Sequence, residues 1–115
     1  MASNNPGNRQ LESTLAEPLR KSGKKPFHKI RKWLIFISNL SSSGNHVSPD
    51  SVRSGCYEPL LKVVREGRKN GELSKTKTAE DLTNTLITFA IGLQQESNDE
   101  ETRSRTIETL IRLIS

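Results

Sequence analysis

Apolar residues in this chain recur every three or four positions, and no segment sustains an alternation of period two. The first spacing lines one face of a helix and the second would line one face of a strand, so the sequence specifies helices and no sheet. Leu11, Leu15 and Leu19 fall four apart. Pro18 interrupts that face, because it lacks an amide hydrogen and crowds the preceding turn. We expect a short helix ending near Glu17 or Leu19, then a linker from Ser22 to Lys25. Pro26 suits the first turn of a second helix, where a missing donor costs nothing. Phe27, Ile30, Leu34 and Ile37 make its stripe, which Trp33 and Phe36 widen, and Ser41 to Asn45 should form a loop.

Ser48-Pro49-Asp50 predicts the next helix start: a capping hydroxyl, a first-turn proline and an acid near the positive end. Val52, Cys56, Leu60, Val63, Val64 and Gly67 follow on one face. Pro59 lies inside this run and should kink or split it, since the hydrogen bond to the carbonyl of Gly55 is lost. Asn70-Gly71 should end it, the glycine supplying a left-handed cap. Thr78 should cap a fourth helix with the seam Leu82, Leu86, Phe89 and Leu93. After a turn over Ser97 to Asp99, a last helix carries Ile107, Leu110, Ile111 and Ile114. The expected fold is all-α, with four to five helices over residues 11–115 behind a polar, disordered segment 1–10.

Hydrophobic residues make up 31% of the 115 residues, about 37% with the seven glycines added. Ordinary globular chains have roughly 45–50% on that count. Such a thin core would gain from association. One cysteine, Cys56, excludes an internal disulfide framework, and a reduced, cytoplasmic setting fits it. The first ten residues hold no apolar run, so we expect no signal peptide. The longest apolar run, Trp33 to Ile37, is far short of the roughly 20 residues of a membrane span, and no membrane partner is expected.

The segment Gly67, Gly71, Glu72 and Leu73, followed by Ala79, Leu82, Leu86 and Gly92, resembles the C-terminal half of TetR-family transcriptional regulators. There a long helix ends in a Gly-x-x-x-Gly-Glu-Leu/Phe segment and the next helices build the dimer interface. The likeness covers roughly the last two thirds of the chain and rests on the order of elements. The family's helix-turn-helix reader, with its Thr/Ser-x-Tyr-x-His/Tyr-Phe run, has no match here. The resemblance implies a TetR-like ligand-sensing and dimerisation domain without its DNA reader, as from a truncated or split gene. It implies a homodimer, or a heterodimer with a full-length relative, through the last two helices.

Two sets of residues follow. Trp33, Phe36 and Tyr57 are three of the five aromatics, and they lie on the helices that wall the ligand pocket in the resembling family. With Ile37, Leu60, Leu61 and Val64 they are the expected walls for a small amphipathic effector. The alternative is that they fill the core. Leu82, Leu86, Phe89, Gly92, Leu93, Ile107, Leu110, Ile111 and Ile114 are the expected dimer interface, Gly92 permitting close approach of a second helix. The alternative is that both stripes face inward within the monomer.

Catalysis and metal binding find little footing. The two histidines, His28 and His46, stand in different elements, and Cys56 lies on an apolar helix face. No paired carboxylates sit on an apolar background. We expect no enzyme, no metal and no cofactor. The net charge of +5 is uneven: residues 1–69 carry 13 basic and 5 acidic groups, a surplus of 8. It peaks between Arg20 and Lys32, with seven Lys/Arg and no acid. A small basic helical protein binding nucleic acid through Arg20–Lys32 is therefore the rival function. Without the reader motif, no specific DNA binding by this chain alone is expected.

Overall fold

The computed structural model describes residues 14–20, 25–42, 47–95 and 99–115. They form five helices: α1 (Glu17–Arg20), α2 (Pro26–Ser42), α3 (Pro49–Lys69), α4 (Ala79–Gln95) and α5 (Glu100–Ile114). No strand occurs among them, so the fold is all-α as the periodicity requires. The expected disorder of residues 1–10, and Leu11, lie outside the described residues.

Helix α2 is the hub. It packs against α1, α3, α4 and α5, while α3 and α4 form the most extensive single pairing. Ile30, Trp33, Leu34 and Ile37 of α2 are fully buried. They meet Val52, Cys56, Leu60 and Val64 of α3 and Leu82, Leu86, Ile87 and Ala90 of α4 in one core. α5 brings Ile107, Leu110, Ile111 and Ile114, all buried. Its packing is chiefly on α2. Arg31 of α2 grips Glu108 of α5 with two hydrogen bonds of 2.7 and 3.0 Å. The Ser74 amide donates to the Ile114 carbonyl at 2.8 Å and pins the C-terminal end.

The helix starts are as local chemistry dictates. Ser48 has extended backbone and its side chain accepts from the Ser51 amide at 3.2 Å. Thr78 accepts from the Asp81 amide at 3.0 Å. Asp99, read from the sequence as part of a turn, is the cap of α5 and accepts from the Thr102 amide at 2.7 Å. Hydrogen bonding from the Thr102 amide, and from the Thr102 side chain, holds its carboxyl below the usual range.

Two boundaries differ from expectation, and of the two outcomes expected at Pro59 the split does not occur. Pro18 does not close a helix; it stands in the first turn of α1, after a break at Ala16, where the absent donor is harmless. α2 runs on to Ser42, past the expected loop start. Pro59 does not split α3, which is continuous from Pro49 to Lys69. Packing on both sides of the proline, by Cys56 before it and Leu60 after it, carries the helix across the missing hydrogen bond.

The end of α3 accounts for the Gly-x-x-x-Gly-Glu-Leu segment residue by residue. Gly71 has φ +80°, the left-handed conformation that favours glycine. The Glu72 and Leu73 amides both reach back to the Gly67 carbonyl, at 2.9 and 3.1 Å. Leu73 folds under the helix end, so close that a Cβ on Gly67 would stand 2.7 Å from its Cδ1. Glu72 reaches the first turn of α2, accepting from the Phe27 amide at 3.5 Å.

Candidate ligand cleft and dimer face

The expected pocket walls do not enclose a space together. Trp33, Ile37, Leu60 and Val64 are fully buried and Leu61 nearly so; all five belong to the core, with Phe36 and Tyr57 half-buried at its edge. α2 is packed on several sides at once, which leaves its apolar face no room for a ligand. The Trp33 indole donates from Nε1 to Cys56 Sγ at 3.3 Å, so its polar tip is answered inside the core. Burial pushes the Cys56 thiol up to about 11, against the Trp33 hydrogen bond and the Arg20 charge, which act the other way. Core packing is thus the account of Trp33, while Phe36 and Tyr57 stand at the core's edge.

Two clefts lie on the surface instead. The first, about 730 Å³, runs between α1 and α2. Its α2 wall is His28, Lys32, Ile35, Phe36 and Asn39, one helical face, and Thr14, Glu17 and Pro18 form the other side. Of the expected pocket residues only Phe36 lines it. The second, about 750 Å³, lies beside Pro59 where α1 and α2 meet α3, and includes Leu61, Lys29, Lys62 and Arg65. Arg65 there already contacts Glu80 at 3.4 Å. Neither Trp33 nor Tyr57 lines this cleft beside the proline. Sequence reasoning missed Glu17, His28, Lys32 and Ile35. The α2 members share a face that the spacing shows, but only the fold brings α1 opposite.

The expected dimer residues divide sharply. Leu82, Leu86, Leu93, Ile107, Leu110, Ile111 and Ile114 are buried within the chain's own core. Side chains already removed from water add no area to a second copy, so these seven follow the inward-facing alternative. The buried surface of α4 is also wider than the seam, taking in Thr83, Ile87, Ala90 and Gln94, because α4 lies against both α2 and α3. Phe89 and Gly92 remain. Phe89 is half-buried and Gly92 is open, with nothing within 4 Å of a Cβ placed there. Around them the outer face shows Asn84, Thr85 and Thr88.

No known protein family, curated protein or solved structure matches this chain. The site therefore has to be read from its chemistry. From Leu82 to Gln95 there is no charged residue, in a chain that is 27% charged. Beyond its acidic first turn, Glu80 and Asp81, the outer face of α4 shows the uncharged Asn84, Thr85, Thr88, Phe89 and Gly92, with Arg53 of α3 reaching Asn84 at 3.3 Å. Among the described residues no group of three or more His, Cys, Asp or Glu comes together to hold a metal ion. No helix among them is long and apolar enough to cross a membrane.

The basic stretch does not form one patch. Arg31 is occupied by Glu108 and Lys32 lines the cleft beside α1, while Arg20 and Lys29 line the cleft beside α3 with Lys62 and Arg65, among Glu58 and Glu66. Helical geometry sends Lys29, Arg31 and Lys32 to different sides of α2. Lys21 and Lys24 lie outside the described residues, as does His46.

Proposed function

We propose that this chain is a TetR-like ligand-sensing and dimerisation module, pairing through the outer face of α4 and taking its effector in the cleft between α1 and α2. The observation that carries the reading is Gly92. A glycine inside a helix costs about 1 kcal/mol relative to alanine. Gly67 earns its place inside the monomer, against Leu73; Gly92 meets nothing there. A second helix lying across it would account for the glycine. The same crossing would bury Phe89, Thr85 and Thr88, in the part of α4 that carries no charge, from Leu82 to Gln95. The order of elements and the closed α3–α4 turn agree with the resemblance in the sequence. The nucleic-acid reading is weaker: Arg20 and Lys29 share a cleft with Lys62 and Arg65, but Glu58 and Glu66 line it too, Arg31 is paired with Glu108, and Lys32 lines a different cleft.

Sedimentation equilibrium tests the reading. The native chain should be a dimer at high micromolar concentration. Gly92→Arg, placed at an exposed position, should be a monomer with unchanged helix content. A native chain that stays monomeric over this range defeats the proposal.

A further inference from the structure

We infer that the α1–α2 cleft binds a small zwitterion with an apolar body, the chemical class of an aromatic or branched α-amino acid. The inference rests on the sensing reading for the ligand's role as effector, but not for its binding. First, the floor is apolar: Pro18, Ile35 and Phe36 meet there. Ile35 is one of two large hydrophobic side chains left exposed among the described residues, at 36%, and it sits beside a half-buried aromatic ring. Covering such surface favours binding.

Second, the walls carry opposite charges that do not neutralise each other. Glu17 comes from α1 and Lys32 from α2, and neither belongs to any ion pair among the described residues. A carboxylate on the ligand would answer Lys32 and an ammonium would answer Glu17. An anion alone would face Glu17, and a cation alone would face Lys32. Third, the volume, about 730 Å³, falls within the roughly 300–1,000 Å³ of small-ligand sites. The cleft beside α3 is a poorer choice: Arg65 is paired with Glu80, and Lys62 stands one turn from Glu58 and from Glu66 on its own helix.

The test is a titration of the full chain with phenylalanine, followed by amide chemical shifts, beside 3-phenylpropionate and 2-phenylethylamine, which each lack one charge. Phenylalanine should saturate at millimolar concentration or below, with shifts centred on Ile35, Phe36 and Asn39. Each one-charge analogue should bind at least about 10-fold more weakly, the loss expected for one charge-assisted contact. Glu17→Gln and Lys32→Gln, both at exposed positions, should each weaken phenylalanine by a similar factor. Phenylpropionate binding as tightly as phenylalanine would overturn the inference, as would full binding by both variants. Absence of saturable shifts with phenylalanine, leucine and tryptophan alike would also overturn it. The oligomeric state of Gly92→Arg decides the dimer separately, so loss of one reading leaves the other standing.

Discussion

At the scale of single residues, two glycines make opposite demands. Alanine at Gly67 would force its Cβ to 2.7 Å from Leu73 Cδ1 and 3.3 Å from Pro26 Cβ. Overpacking of about 2 kcal/mol should outweigh the roughly 1 kcal/mol gained in helix propensity, so Gly67→Ala should lose about 1 kcal/mol in urea unfolding. Gly92→Ala meets open space. Measured at dilution, it should gain up to about 1 kcal/mol, and at high concentration it should weaken association. A gain without any effect on association would detach Gly92 from the dimer. Cys56 makes a pH prediction. Its thiol titrates near 9.0 when unfolded and about 11 when folded, raised by burial. Between those values the unfolded chain holds fewer protons, so stability falls as pH rises, by about 2–3 kcal/mol in all. Cys56→Ala should lack that share of the alkaline slope. Gly71 was legible from Asn-Gly alone; the task of Gly67 was not, because Leu73 returns to it only through the turn.

At the scale of elements, the sequence carried most of what the helices are. Spacing and capping residues placed the starts of α2, α3 and α4, since these depend on a few adjacent groups. Pro59 shows where local rules stop. Its ring removes one helical hydrogen bond, yet α3 continues because residues on both sides are buried against α1, α2 and α4. Pro59→Ala restores a donor for the Gly55 carbonyl and should stabilise the fold by about 1–3 kcal/mol, read as a shift in urea midpoint. A loss of stability would mean the ring's own contacts outweigh the missing bond. The seam on α4 was legible only in part. Its period was plain, but not that a helix between two neighbours buries Ile87 and Ala90 as well.

At the scale of the whole molecule, charge and cavity belong to the fold and not to the string. Seven basic residues from Arg20 to Lys32 read as a patch; helix α2 turns those it carries toward different neighbours. We therefore expect only weak, non-specific binding of duplex DNA, lost steeply as salt rises. A mobility shift that survives physiological salt and prefers one sequence over competitor DNA would refute this. The cleft was hidden for the same reason: Glu17 and Lys32 lie fifteen positions apart and line one cleft only because α1 folds against α2. Aromatic residues were visible but their fate was not, since composition cannot tell a ring that fills a core from one that walls a pocket.

The last helix has its principal partner near the other end of the chain, on α2. During synthesis that partner is made early and waits. Until Ile107, Leu110, Ile111 and Ile114 leave the ribosome, the apolar strip of α2 that they cover stays open to water. A stop codon shortly before Glu100 would leave that strip bare for good. Such a product would be a client for chaperones and proteases rather than a smaller version of the same domain.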